Sequence, residues 1–431
     1  MNSTSQKYHG EWWVPAELNP DNHCLLPAQF KGREKRYTGT LTYHEKEDAT
    51  LELYHVPSNF HASLYKYNSV IWGMDADGNI FSLFNLVMGK QHLGEFTNTT
   101  YTVGCILKGE HIKSIEDACF SRCIVQFPYL RNWAFQNNLD LDNVNGDFCY
   151  TLKNINKSNY LIEQKIEDGV KWILRNSYTQ SLDRFSITIT QDTEFVIDTP
   201  HGMSIYQYLK QITEFSQFLS IALYCEQSPS SIQFVNKSNN NQSTLLFTID
   251  ESVEPRVSLL IKFKELKTKI PSMLSAWHQN FKDIAPISKY LVDSLRKNKT
   301  FDIPDFLIIA QALDGYHKRF INKKDGKDIR KYEDQIGILL KQFEDVEVIL
   351  KCSLDPKVIT DTRHKYSHLY PDDEKSKAME DGEELFWLTE KCKILLTCCI
   401  MNLMGLTNEE INICCKQSPI EDIIEAHSFE F

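Results

Sequence analysis

The feature that most constrains this chain is a change in hydrophobic period near Val257. Before it, apolar residues come in short alternating runs, the period of a half-buried strand. After it they recur every three to four residues, the period of an amphipathic helix. Strand-like runs are Tyr37–Tyr43, Thr50–Val56, Ser69–Gly73, Ile80–Phe84 and Thr100–Leu107, with a turn signal at Asp75–Asn79. Five or more short strands at this spacing predict a sandwich or curled sheet. The aromatic pair in Trp12-Trp13-Val14-Pro15 reads as a core plug. Residues 150–250 mix both periods. Phe185–Thr190 and Thr244–Ile249 read as strands, Ile205–Leu223 as a helix, and Ser238–Ser243 as a polar loop.

The last third predicts a bundle of four to six helices, punctuated by Pro271, Pro286 and Pro304. Helical stripes run over Phe306–Phe320, Tyr332–Leu350 and Leu385–Met404, and Thr407 with Glu410 has the form of a capping box. The expected fold is therefore α+β and multidomain. It has a β-rich region over 1–150, an α+β continuation over 151–270 and an all-α unit over 285–431. A length of 431 residues allows two or three domains.

Composition narrows the class. A net charge of −11 argues against coating nucleic acid by bulk charge, so any such contact needs a local basic patch. The longest charge-free apolar-leaning stretch, Ile394–Asn408, is 15 residues, below the roughly 18 that a spanning helix needs. The polar start, Met1–Gln6, carries no apolar leader. Twelve cysteines without a C-x-x-C are expected as reduced, mostly buried thiols, Cys119 and Cys123 included, in a cytoplasmic protein. Six N-x-S/T sequons follow from the Asn-rich composition. No cofactor and no metal site is expected.

One stretch carries chemistry. In Asp361-Thr-Arg-His-Lys-Tyr-Ser-His-Leu-Tyr370, Arg363 and His368 form R-x4-H between Pro356 and Pro371, where a short irregular element is expected. Five residues on an ideal helix leave the two side chains about 140° apart, so they converge only at a helix end or turn, or by reaching a phosphate from different sides. Histidine can take a 2′-OH proton near neutral pH, and arginine presents a permanently charged fork to phosphate oxygens. A surface arginine and a capping histidine would give the same pattern.

An earlier stripe adds to it. In Gln311–Arg319, Asp314 and Lys318 lie four apart on one face; His317 falls inside the apolar arc and Asp314 at its edge. Polar groups turned toward a bundle interior need partners, and Arg363 or His368 could supply them. A satisfied core histidine and an i,i+4 surface pair are the plain alternatives. Gln311–Lys331 holds seven basic and three acidic residues, whereas Pro371–Glu384 holds seven acidic and two basic. The first is a candidate phosphate-contact patch, or a solvated helix end.

At these residues the chain resembles the HEPN ribonuclease families, and within them the ApeA-type anti-phage proteins. Thr362–His368 is similar to the HEPN R-x4–6-H motif, and Asp314-Gly-Tyr-His-Lys-Arg319 to the [ED]-x3-K-R element of an earlier HEPN helix. Gly10–Pro15 with Gly39–Tyr43 resembles the ApeA N-terminal domain. The resemblance implies a metal-independent endoribonuclease of abortive infection, cutting RNA, with tRNA a candidate, to a 2′,3′-cyclic phosphate and a 5′-OH. Two bundles would pair as a homodimer or higher oligomer. The N-terminal region would restrain the nuclease or sense an invader, such as a phage-encoded trigger. His368 would be the acid/base, Arg363 the phosphate binder and Asp314 their orienting group. Lys318 and Arg319 would support RNA binding, with His364 and Tyr366 beside them. Where the family often has Asn after the motif arginine, this chain has His364, a second candidate for proton transfer. The rivals are a catalytically silent HEPN-like bundle serving interaction or dimerisation, and a carbohydrate- or peptide-binding β domain with a helical tail.

Overall fold

The computed structural model describes residues 5–15, 35–56, 70–92, 97–116, 119–134, 139–144, 147–152, 160–167, 169–249, 252–296, 303–322, 329–369 and 377–428. Strands β1 (Gln6–Trp13), β2 (Tyr37–Tyr43), β3 (Ala49–Leu53), β4 (Ile71–Asp75), β5 (Ile80–His92) and β6 (Asn98–Lys108) come first. They are hydrogen-bonded in the order β6-β3-β2-β1-β4-β5, and β5 pairs back onto β6. The curled sheet expected from sequence thus closes into a small antiparallel barrel, which removes its edges. Every second residue points inward, so Trp12, Leu41, Leu51, Leu53, Phe81, Leu83, Tyr101 and Ile106 fill the interior. Trp12 lies across its neighbours at a position where only glycine fits. A Cβ on Gly73 would sit 2.1 Å from the indole. The Trp12–Trp13 pair is a core plug, 0% and 3% exposed.

Strand β6 belongs to two surfaces. Ala49–Leu53 of β3 pairs with its first half, and Gln242–Leu246 (β14) joins at Ile106–Lys108. From there an open antiparallel sheet runs β14, β13 (Ser231–Asn236), β7 (Phe120–Gln126), β12 (Ile187–Met203), β11 (Val170–Leu182) and β10 (Tyr160–Glu167). A two-stranded ribbon, β8 (Leu139–Val144) with β9 (Asp147–Leu152), stands apart from that sheet. The strand expected at Phe185–Thr190 is the start of a 17-residue strand paired along the whole of β11.

Helix α1 (Leu130–Ala134) is short; α2 (Ile205–Leu223) covers the open sheet. Ser204 starts α2 with a capping box to Gln207, and its apolar face includes Phe215, stacked on Phe195 at 3.8 Å. Onto α2 packs α3 (Ile270–Ser294), whose Trp277 Nε1 donates to the Glu214 carbonyl at 3.0 Å. Pro286 lies inside α3 and does not end it, a correction to its reading as a boundary. The bundle continues with α4 (Ile303–Tyr316) and a π-helical turn (His317–Asn322). Then come α5 (Tyr332–Gln342), α6 (Glu347–Cys352), α7 (Pro356–His368), α8 (Glu383–Leu403), α9 (Asn408–Cys415) and α10 (Pro419–Ser428).

Three sequence readings change here. Tyr332–Leu350 is two helices, because the chain turns at Phe343–Val346 while both pieces keep apolar residues inward. The stretch around the R-x4-H motif is regular helix, because Pro356 occupies the first turn, where its missing N–H costs nothing. Cys119 is exposed, whereas Cys123 is buried; Cys24 lies outside the described residues. The capping box is present as expected, with the Thr407 N–H donating to Glu410 Oε2 at 2.9 Å and the Glu410 N–H to Thr407 Oγ1 at 3.3 Å. One hydrophobic core runs from the open sheet through α2 and α3 into the bundle. No helix among the described residues is long and apolar enough to cross a membrane.

Candidate active site on α7

Helix α7 is set by its ends and by one face. Asp355 caps its start, Oδ1 accepting the Lys357 N–H at 2.8 Å. That backbone hydrogen bond, with the Lys377 ammonium 3.1 Å from Oδ2, holds the Asp355 carboxyl below its usual range. Leu369 ends the helix in the left-handed region, φ 53°, its N–H donating to Lys365 O. Thr362, Lys365 and Tyr366 form the clamped face. Thr362 Oγ1 accepts the Met379 N–H at 3.0 Å, and Lys365 Nζ meets both Glu380 carboxylate oxygens at 3.1 Å. The Tyr366 hydroxyl donates to Met379 O at 3.2 Å.

This clamp fixes the helix's rotation. On an ideal helix Arg363 lies about 100° from it and His364 and His368 about 200–240° from it, on the far side. Arg363 therefore turns toward α4 and α5. Its Nη2 is 3.8 Å from Asp314 Oδ2, and its guanidinium carbon lies 4.6 Å from the centre of the Tyr332 ring. Asp314 Oδ2 is shared, with Lys318 Nζ at 2.9 Å. Asp314 is 14% exposed at the edge of the apolar stripe, and Arg363 keeps 28% of its side chain in solvent. Among the described residues no acceptor hydrogen-bonds Arg363. The Tyr332 hydroxyl donates to Ala310 O at 2.9 Å. Burial pushes its phenol far above the usual range, against the pull of Arg363.

His364 and His368 share the outer face, their rings 5.9 Å apart and edge-on, with His368 exposed in the last turn. The structure thus forms two groups: Asp314, Lys318 and Arg363 on the inner side, and the two imidazoles outside. Two further candidates sit elsewhere. Arg319 Nη1 donates to Asp283 O at 2.6 Å, tying the π-helical turn to α3. Tyr366 faces the clamp. His317 is fully buried, as its place in the apolar arc leads one to expect. Of the basic patch, Lys323, Lys324 and Lys327 lie outside the described residues. Sequence reasoning passed over Tyr332, because a single aromatic on an apolar stripe carries no mark of a cation partner.

A partly exposed arginine held beside a carboxylate can bind a phosphodiester and stabilise charge on phosphorus, and an exposed imidazole can move a proton. Family comparison agrees with this reading of the fold. A family model described as ApeA N-terminal domain 1 matches residues 7–277, and one described as Apea-like HEPN matches residues 307–410. Searches of curated proteins and of solved structures find no match. The second span holds Asp314, Lys318, Tyr332, Arg363 and His368. With more than half its length matched by the first model, the chain belongs to the ApeA family, an ApeA N-terminal domain joined to an ApeA-like HEPN domain.

Proposed function

We propose that this protein is a metal-independent HEPN endoribonuclease of anti-phage abortive infection, with Arg363 binding the scissile phosphate and His368 moving protons. The supporting observation is the Arg363 guanidinium: fixed by Asp314 and Tyr332, partly exposed, and without a hydrogen-bonded acceptor among the described residues. In the reaction His368 takes the proton of the ribose 2′-OH, and O2′ attacks phosphorus. The P–O5′ bond breaks, and the departing oxygen takes a proton from a second imidazole. The products are a 2′,3′-cyclic phosphate and a 5′-OH. Arg363 offsets the charge that grows on the phosphoryl oxygens. Lys318 extends the positive surface along the substrate and His364 flanks it, while Arg319 and Tyr366, tied to Asp283 O and Met379 O, hold the elements that carry the site.

Within one chain Arg363 and His368 diverge by about 140° and are separated by about 7.5 Å along the helix axis. A homodimer in which two α7 helices face one another would place an arginine and two imidazoles around one phosphate. The second imidazole is then His368 of the other copy, or His364. RNA is the substrate class, with tRNA the first to test. The N-terminal region senses the invader, a phage-encoded component being the trigger, and the protein acts in the cytoplasm.

The same divergence favours one other reading, a silent bundle that dimerises through α7. RNA cleavage assayed in EDTA, with and without phage infection of the expressing cells, separates the two. The nuclease reading expects cleavage in EDTA, a cyclic phosphate end, and loss of at least about 100-fold in His368→Ala. Absence of cleavage in every condition, with a dimer retained, supports the silent bundle.

A further inference from the structure

We infer that Tyr332 is a positioning residue of this site: its ring is the shelf that orients the Arg363 guanidinium toward the substrate phosphate. The inference rests on the nuclease reading and adds to it a residue outside the motif.

Asp314 alone cannot set the guanidinium plane. At 3.8 Å it attracts Arg363 without a directed hydrogen bond, and the same oxygen is held more closely by Lys318 at 2.9 Å. A point attraction of that kind leaves the fork free to rotate. The aromatic face limits this freedom, because the guanidinium carbon lies over the ring 4.6 Å from its centre, and a guanidinium seated on an aromatic face keeps its N–H donors at its edge for other partners. The shelf itself is rigid. The ring is 7% exposed, the residue opens α5, and its hydroxyl is anchored on Ala310 O. In a regular helix that carbonyl is also the partner of the residue 314 N–H, so the anchor lies one turn below Asp314. Ring, carboxylate and guanidinium come from α5, α4 and α7 and form one unit. Neither the ring nor its hydroxyl needs to touch the RNA.

The test measures kcat and KM for an RNA oligonucleotide with the full chain carrying Tyr332→Leu, Tyr332→Phe or Arg363→Ala. Tyr332→Phe keeps the aromatic face and should stay within about threefold of the unmodified protein. Tyr332→Leu should lose about 10- to 100-fold, in kcat and with little change in KM, since a misplaced fork weakens the transition state more than binding. Tyr332→Met, of similar reach but without a ring, replaces the leucine variant if that chain melts early. Wild-type kinetics for Tyr332→Leu or Tyr332→Met, with Arg363→Ala inactive, overturn the shelf and leave the nuclease standing. Wild-type activity in Arg363→Ala overturns the nuclease reading. A second measurement needs no catalysis: phenylglyoxal labelling of Arg363, read by mass spectrometry. Without the ring, labelling should rise several-fold over the phenylalanine variant. Equal labelling overturns the inference even if no RNA is cut.

Discussion

At the residue scale, the inner half of the site depends on the shape of a guanidinium. Lysine at 363 would keep the charge but lose the planar group seated over the Tyr332 ring and the fork that matches two phosphate oxygens. Arg363→Lys should therefore lower kcat/KM about 100-fold while melting within a few degrees of the unmodified chain. Near-normal activity would show that charge alone suffices. Much of this group is legible in the sequence. Asp314 and Lys318 are four apart at the edge of an apolar stripe, a spacing that puts them on one face, and their 2.9 Å contact follows. Tyr332 is not legible. Its role comes from a contact 31 positions away in sequence, and its own spacing says only that it is buried. Arg319 reads as a phosphate contact but bonds the Asp283 carbonyl, because the π-helical turn after Tyr316 changes the direction in which the following residues point.

At the scale of elements, the presentation of the motif is a property of α7 as a rigid body. Its cap and its clamp decide which residues face the bundle and which face solvent. Asp355→Ala removes the cap and should cost about 0.5–2 kcal/mol, read from urea unfolding. Because the first turn would fray toward Arg363, cleavage should fall along with stability, whereas a cap of equal cost removed elsewhere, Thr407→Ala on α9, should leave cleavage unchanged. Equal loss of cleavage in both would mean that global stability, not α7, governs the site. The sequence misled here for a definite reason. Pro356 and Pro371 look like brackets around an irregular segment, yet a proline at the first turn of a helix starts it. The apolar stripe of Tyr332–Leu350 likewise runs through the turn at Phe343–Val346, since a stripe records which side is buried and not whether the backbone hydrogen bonds continue.

At the scale of the molecule, barrel closure and the shared core explain why the N-terminal region and the bundle cannot be treated as beads on a string. The pairing of β5 with β6 and the split loyalty of β6 are long-range choices of register, to which short alternating runs are blind. The bundle is likewise joined to the sheet through α3, whose Met273, Leu274 and Trp277 are buried in the common core. A fragment covering 285–431 would begin inside α3 and lose all three. Beside Trp277 lies a titrating contact between α2 and α3, His278 Nδ1 to Glu214 Oε1 at 2.8 Å. The hydrogen bond that the His278 imidazole donates to Glu214, aided by the charges of Glu214 and Glu167, raises its pKa against its burial. Glu214 is itself raised, since burial outweighs the pull of the imidazole. Both shifts have the same sign: the folded protein holds these protons more tightly than the unfolded chain. The contribution of His278 is complete below the ordinary histidine value of about 6.5 and disappears as pH rises through its raised value, whereas that of Glu214 is complete only below the ordinary glutamate value of 4.5. The melting temperature should therefore fall between about pH 6 and pH 9 more steeply in the unmodified protein than in His278→Gln, whose amide keeps a hydrogen bond without titrating. Calorimetry at the two pH values measures both slopes. Parallel slopes would mean that the pair does not hold the open sheet to the bundle through its proton, and that the α2–α3 junction rests on its non-titrating contacts, Trp277 with its apolar neighbours and Ser288 with Gln217.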